Sequence, residues 1–421
     1  MKIKTCLTIL LVSWINFHQP LYAQQFAERV KTALNLLMDQ WHHNAATGNY
    51  DAYMGAMSTG GVYIGTDATE HWTTAEFSKW CKPWFDRGHT WSFKAINRHI
   101  FLNADLTMAW FDEVLTTRMG LCRGSGVISR HGEGWKIEQY VLSPTVPNEL
   151  MKRVTVEKHE ADSIMVPYIR NGVKDPDASL KLKTLFDKYR MTGTILITDS
   201  SNQEYYGFNP SRWDSGYLPA STFKIVNTLI GLETGATDTS HIFVWKGEKR
   251  RLPEWERNLK LRDAFACSCV PCFQELARKI GAETMNTWLA KLAYGSMDVH
   301  PGNIDRFWLE GLSRITPRQQ ADFIRQLYAE TLPLSHAVMK AVKSIMVIET
   351  TDSYKLSGKT GWAVREGNNY GWFTGYLETG GKVYFVATLV EPRDQKEVAD
   401  FIAARKLITM EAFRILGLIG H

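Results

Sequence analysis

Apolar and polar positions alternate in two widely separated stretches of this chain, and apolar residues recur at helical spacing around them. In 25–48 the positions Phe26, Val30, Ala33, Leu34, Leu37 and Trp41 fall on one face of a helix that ends at Gly48. Segments 91–96, 107–117, 126–131 and 135–142 have strand character, with Gly132-Glu133-Gly134 as a hairpin turn. Helices followed by antiparallel strands make an α+β unit over 25–148. Pro144, Pro147 and the charged stretch 149–162 break the pattern, so 149–163 reads as a connection and a second domain, 164–421, opens at Ile164. That domain begins with a helical pattern ending near Tyr189, then a hairpin of 192–198 and 204–207 around Asp199-Ser200-Ser201-Asn202. A largely helical middle runs from Ser221 to near Val347, strands return at 354–362, 371–377 and 382–390, and a helix covers 394–416. Early and late strands that share a sheet, with helices inserted between, gather sequence-distant residues around one cleft.

Length agrees with this division, since 421 residues exceed what one compact core usually holds. A hydrophobic fraction of 44% with 15 Trp is that of a globular chain, and a net charge of +5 without a basic stripe argues against a nucleic-acid partner. Lys2 and Lys4, an apolar run over 6–15 and Ala23 read as an exported signal peptide, 1–23, cleaved after Ala23. Cys6 lacks the small residues that a lipid anchor needs, so an exported, periplasmic protein without stable membrane insertion is expected. Removing that segment leaves Cys81, Cys122, Cys267, Cys269 and Cys272, an odd number, so at least one thiol stays unpaired within the monomer. The cluster at 267, 269 and 272 has no second cysteine pair or suitably spaced histidines beside it, and small buried side chains are the reading for it rather than a metal site.

The chemistry starts at Ser221-Thr222-Phe223-Lys224. Residues at i and i+3 share a helix face, so Lys224 reaches Ser221. Ile225, Val226, Leu229, Ile230 and Leu232 make the continuing helix apolar on most faces, hence buried, and burial disfavours the charged form of an amine. Ser221 is then a nucleophile and Lys224 its general base. A lone Ser-x-x-Lys is ordinarily a helix start with a solvated lysine; this one has company. In Ser268-Cys269-Val270, a second serine relays a proton and an apolar residue keeps the local dielectric low. In Lys359-Thr360-Gly361, a lysine and a hydroxyl on a strand edge bind a carboxylate, and the glycine admits the ligand to the backbone. These two triplets, in this order after Ser221-x-x-Lys224, signal the serine acyl-transferases that act on penicillins.

Over 164–420 the chain resembles class D β-lactamases, the oxacillinases. The likeness includes Pro219-Ala220-Ser221-Thr222-Phe223-Lys224-Ile225, Val270-Pro271 with Gln274-Glu275-Leu276-Ala277-Arg278, Phe307-Trp308-Leu309-Glu310-Gly311, Gly358-Lys359-Thr360-Gly361-Trp362 and Gly371-Trp372. The resemblance implies a β-lactamase/D,D-peptidase fold, an antiparallel sheet flanked by helices plus an all-helical subdomain. It implies an acylated Ser221, a carboxylated Lys224 (N6-carboxylysine) that activates Ser221 and the deacylating water, and a Trp308 hydrogen bond to that carbamate. By the same match Ser268 relays a proton, Val270 shields the lysine, and Lys359, Thr360 and Arg405, in Ala404-Arg405-Lys406-Leu407-Ile408-Thr409, hold the β-lactam carboxylate. Tyr294, Gly361 and Trp362 complete the substrate-binding set, with the oxyanion hole made by the Ser221 N–H and one from the strand after Gly361. No cofactor is implied beyond carbon dioxide or bicarbonate for the carboxylation. The family's Tyr-Gly-Asn motif stands here as Tyr294-Gly295-Ser296. A serine β-lactamase hydrolysing penicillin-type antibiotics is the expected activity. The alternatives are a penicillin-binding sensor, which would need a transmembrane route, and a D,D-peptidase, which would favour Ser-x-Asn.

Residues 25–148 resemble the SnoaL-like branch of the nuclear-transport-factor-2-like superfamily in Gly65-Thr66-Asp67-Ala68-Thr69-Glu70, Ala109-Trp110-Phe111-Asp112-Glu113 and Gly134-Trp135-Lys136-Ile137. That implies helices and a curved antiparallel sheet around a cone-shaped pocket, for which His71, Asp112 and Arg123 are candidate linings. Without a recognisable acid–base pair, a binding, spacing or homo-oligomerisation role is expected there rather than catalysis.

Overall fold

The computed structural model describes residues 4–88, 90–173, 175–200, 205–365, 367–395 and 398–420. The chain divides after Lys158 into two compact units. Part of the expected leader, 1–3, lies outside the described residues, and no described helix is long and apolar enough to cross a membrane.

The first unit opens with α1 (Lys4–Ala46), which buries Val30, Leu34, Met38, Trp41 and Ala45 at helical spacing. Phe26 and Ala33, expected on that face, are exposed. The helix stops short of Gly48, which takes a left-handed φ of +73°. Next come α2 (Tyr50–Gly55), β1 (Met57–Ile64) and β2 (His71–Thr73). Helix α3 (Thr74–Asp86) starts at a capping box between Thr73 and Glu76. A meander of β3 (Lys94–Leu102), β4 (Met108–Thr117), β5 (Gly120–His131) and β6 (Gly134–Pro144) completes a sheet of order β2-β1-β6-β5-β4-β3. The pairings are antiparallel except β1 with β6, which is parallel. Period two sets the faces: Ala109, Phe111, Glu113 and Leu115 of β4 point inward.

The stretch read as a connection is helical: α4 (Asn148–Arg170) begins just after Pro147, and its charged residues form a solvated surface with only Tyr168 buried. Helix α5 (Pro176–Lys188) then leads into the hairpin β7 (Met191–Asp199) and β8 (Tyr205–Phe208), whose turn, 201–204, is outside the described residues. The helical middle contains α6 (Lys224–Glu233), the small ladder of β9 (Ile242–Phe243) and β10 (Leu259–Lys260), α7 (Leu261–Ala266), α8 (Val270–Ile280), α9 (Ala282–Leu292), α10 (Pro317–Tyr328) and α11 (His336–Ile345). Strands β11 (Val347–Thr350), β12 (Tyr354–Arg365), β13 (Asn368–Thr379) and β14 (Lys382–Pro392) return to the sheet, and α12 (Val398–Ile415) closes it. The order β11-β12-β13-β14-β7-β8, antiparallel throughout, sets the early hairpin beside the late strands, as expected.

Both faces of this sheet are buried. Ile195, Phe373, Val386 and Val390 pack with Phe186 of α5 and Phe401, Ile408 and Phe413 of α12. The alternate residues Leu196, Trp372, Phe385 and Leu389 pack with Phe223, Val226 and Leu229 on the other side. Near-continuous apolar runs in β7 and β14 follow from this double burial.

Candidate active site

The nucleophile turn is a single 3-10 turn, Ala220–Phe223, continuous with α6. Ala220 takes φ +50°, unfavourable for a side chain with a Cβ, and its N–H donates to Trp308 O at 2.8 Å. Ser221 follows at 8% exposure, and Lys224, fully buried, donates from Nζ to Ser221 Oγ at 2.7 Å. Burial first, then the charge of Lys359, holds the Lys224 amine well below the usual lysine range. The Phe273 ring lies 5.4 Å from Nζ, and Lys224 makes no ion pair among the described residues. Thr222 anchors the turn: its Oγ1 donates to Pro219 O at 2.6 Å and accepts from Gln320 Nε2 at 2.7 Å.

Ser268 sits in the turn between α7 and α8 with φ +56°. Its N–H donates to Phe265 O at 3.2 Å, and its Oγ accepts from Lys359 Nζ. Lys359 also donates to Thr360 O at 3.1 Å and Thr360 Oγ1 at 3.4 Å. Burial, then the nearby Arg405 charge, pulls its amine down to about 7. The structure therefore brings Ser221, Lys224, Ser268, Lys359 and Thr360 into one hydrogen-bonded and electrostatically coupled group from three elements. Val270 heads α8 and packs against the same core.

Gly361 shows why the third position of its triplet carries no side chain. A Cβ there would lie 3.3 Å from both Pro219 O and Ala220 Cβ and 3.2 Å from Trp372 Cβ, where β12 passes the nucleophile turn. Trp308 is fully buried and stacks on Phe223, centroids 5.3 Å apart and planes 20° apart. Its Nε1 has no hydrogen-bond partner among the described residues, a costly state for a buried donor.

A penicillin binding protein transpeptidase domain model matches residues 190–408, about half of the chain, and a SnoaL-like domain model matches 34–147. Beta-lactamase OXA-5 of Pseudomonas aeruginosa is 37% identical over 238 residues, 56% of this chain and 87% of the relative. A solved class D beta-lactamase from Nostoc is 42% identical with a TM-score of 0.54, covering 56% of this chain and 99% of that one. The chain belongs to the penicillin-binding transpeptidase family, and within it to the class D β-lactamases. A further class D structure, from Sebaldella termitidis, is 35% identical with a TM-score of 0.55, covering 57% of this chain and 97% of its own.

Three further residues of the expected set make contacts of their own. Tyr294, expected to touch substrate, is buried with its hydroxyl donating to Gln320 Oε1 at 3.3 Å; Gln320 in turn holds Thr222, so Tyr294 braces the nucleophile turn from behind. Trp362 donates from Nε1 to Asn369 Oδ1 at 2.8 Å, and its ring lies 6.0 Å from that of Phe401 in α12 with the Arg251 guanidinium 4.9 Å over it. Arg405 reaches the Lys359 triplet through the backbone, donating from Nη1 to Gly361 O at 2.7 Å and from Nε to Ile402 O at 2.9 Å. Burial lowers its guanidinium to about 10, which leaves it charged at neutral pH.

Gln320 is the bracing residue that the sequence did not announce. The cysteine cluster also resolves: Cys269 and Cys272 form a disulfide across the first turn of α8, and Cys267, Cys81 and Cys122 are free thiols. The Cys-x-x-Cys spacing at a helix start was the available signal for that pair. Among the described residues no group of three or more His, Cys, Asp or Glu side chains could hold a metal.

In the SnoaL-like unit the expected lining is replaced. His71 is exposed on the short strand β2, while Asp112 lies on the face of β4 opposite Phe111 and Glu113, with Arg123 at 3.6 Å and His99 at 3.3 Å. The cavity is lined instead by aromatic residues including Tyr63, Trp72, Phe77 and Trp91. A buried His42–Glu113 pair at 2.8 Å also went unread; Glu113 further accepts from Arg98 and Tyr140, which fixes it as a core carboxylate.

Proposed function

We propose that the C-terminal unit is a serine β-lactamase, opening the cyclic amide of penicillin-type antibiotics through an ester on Ser221. One observation carries the reading: a fully buried lysine, with no acidic partner among the described residues, stands 2.7 Å from the Ser221 hydroxyl. A neutral amine is the form that reacts with carbon dioxide, and burial supplies it. Lys224 would carry the carbamate and Trp308 would hold it; when present the group supplies a base for Ser221 and for the hydrolytic water.

The remaining residues divide the work. Ser221 Oγ attacks the lactam carbonyl, forming the C–O bond as the C–N bond breaks. The developing oxyanion is met by the Ser221 N–H and a backbone N–H of β12 beyond Gly361. Ser268, hydrogen-bonded to Lys359, returns a proton to the departing nitrogen. Lys359 and Thr360 take the substrate carboxylate, and Arg405 adds its charge while bracing Gly361. Val270 keeps the amine dry.

Residues 1–23 would direct export to the periplasm, with cleavage after Ala23, and residues 25–148 would act in binding, spacing or self-association. Steady-state hydrolysis of a chromogenic cephalosporin by the mature protein, with fluorescent-penicillin labelling, tests the activity. Ser221→Ala should abolish both signals, and labelling that persists in that variant moves the nucleophile elsewhere.

A further inference from the structure

The loop between β9 and β10, 244–258, touches both triplets of the site. Arg250 donates from Nη1 to Trp255 O at 2.8 Å and lies 3.9 Å from Cys269 Sγ, and Trp255 donates from Nε1 to Cys267 O at 3.0 Å. The loop therefore leans on both neighbours of Ser268. The next residue, Arg251, holds its guanidinium 4.9 Å over the ring of Trp362, which follows Lys359-Thr360-Gly361 in β12. Consecutive arginines thus reach the Ser268 turn and the far end of the β12 triplet, and the loop spans the gap between them.

The two arginines are not equivalent. Arg250 is largely buried and paired with Glu248, and Lys249 is paired with Glu256. Arg251 is exposed, and among the described residues it has neither a hydrogen-bond acceptor nor an acidic partner. A guanidinium held only by the face of a ring keeps its five N–H donors for a ligand, and their planar fork suits a carboxylate.

Position along β12 decides which part of a substrate meets it. Strand β11 pairs with β12 only up to Ser357, which leaves the edge from Lys359 onward open. This inference rests on the activity proposed above, in which the substrate carboxylate is held at Lys359 and Thr360. The lactam carbonyl then lies between Ser221 and the backbone N–H beyond Gly361, where β12 passes the nucleophile turn. In a penicillin the carboxylate and the acylamino side chain leave the fused rings at opposite ends. The side chain therefore continues past Gly361 to Trp362, and an anionic group on it comes to Arg251.

We propose that Arg251 is a specificity-determining residue that favours β-lactams with a second carboxylate on the acylamino side chain, bound by its guanidinium beside Trp362.

Carbenicillin and benzylpenicillin differ by one such carboxylate, so initial-rate hydrolysis of both by the full chain and by Arg251→Met tests this. The methionine keeps an apolar stem on the Trp362 ring and removes the charge. It should lower kcat/KM for carbenicillin about fivefold, the upper range for an exposed ion pair, and change that for benzylpenicillin less than about twofold. The loss should lie in KM, because the contact is remote from the breaking bond and equal in ground and transition states. Sodium chloride at about 1 M should move the wild-type ratio of the two substrates toward that of the variant, the shared ring carboxylate cancelling in the ratio. An equal effect of Arg251→Met on both penicillins, or a ratio insensitive to salt, would overturn the proposal while leaving the β-lactamase activity standing. Hydrolysis of neither penicillin by the wild-type chain would reject that activity, and this inference with it.

Discussion

Replacing Trp308 with phenylalanine tests the proposed lysine carbamate without altering Ser221 or Lys224. The Trp308 ring is fully buried and lies on Phe223 at 5.3 Å, so phenylalanine keeps much of the stacking and deletes only the indole N–H with part of the ring. In the uncarboxylated protein that N–H has no partner among the described residues, and removing it relieves a penalty of about 1–3 kcal/mol. This offsets the smaller packing, so little net stability change is expected. In the carboxylated protein the same substitution deletes a hydrogen bond to an anion, about 1.5–3 kcal/mol. At about 1.4 kcal/mol per decade, the bicarbonate needed for half-maximal activity should rise about 10- to 150-fold. The assay is initial-rate hydrolysis of a chromogenic cephalosporin across a bicarbonate series. Most activity should return at high bicarbonate, and the requirement should steepen at acidic pH, where the Lys224 amine protonates and cannot react. An unchanged half-activating concentration would refute the reasoning, because Trp308 would then hold nothing on Lys224.

Arg405→Ala should lower kcat/KM by about one to two decades for a normal substrate and much less for its carboxylate methyl ester. An equal loss on both would assign Arg405 wholly to bracing Gly361, which its 2.7 Å bond to that carbonyl already does. Lys359 makes the folded state sensitive to pH in a set direction: its amine is pulled down to about 7, below the unfolded range, so its buried charge is fully destabilising below pH 7 and that cost fades as pH rises from 7 toward 10. Lys359→Met should therefore raise Tm more at pH 6.5 than at pH 9.5, and a pH-independent difference would contradict the burial argument. A truncated chain beginning at Asn148 should retain kcat for a small penicillin, since the residues assigned to the reaction all follow it; a folded truncation that loses most of its activity would assign part of the site to the first unit.

Much of the catalytic unit was legible because its signals are local. Ser221 and Lys224 are one helical turn apart, and runs of strand-forming residues marked β12, β13 and β14. What stayed hidden depends on long-range packing or on weak patterns. Strand β1 carries Ser58, Thr59, Gly60 and Gly61, which hide its alternation, and its parallel pairing with β6 joins residues far apart in the chain. Helix α4 is mostly solvated, so its charged sequence reads as a linker. The resemblance counts Trp362 with the substrate-binding residues, but where its ring goes depends on strand register, since neighbours on a strand point to opposite faces and this ring packs near Phe401. Tyr294 and Gln320 converge on Thr222 only where the nucleophile turn meets the loop after α9 and α10, a relation that no spacing encodes.

The electrostatics of the site link its two lysines more closely than their motifs suggest. After burial, the charge of Lys359 is the next cause of the depressed basicity of Lys224, and Arg405 acts likewise on Lys359. Among the described residues neither lysine has a carboxylate partner, so the site holds a chain of like charges that favours the neutral amine on Lys224. An anionic substrate arriving at Lys359 would neutralise part of that field. An anion fixed on Lys224 would be attracted to Lys359 in its absence and less so in its presence. The carboxylate anchor and the base are therefore coupled through space, and substitutions at Lys359 should change the bicarbonate requirement as well as substrate affinity. A variant at Lys359 that altered KM alone, with the same half-activating bicarbonate, would show that the two positions act independently.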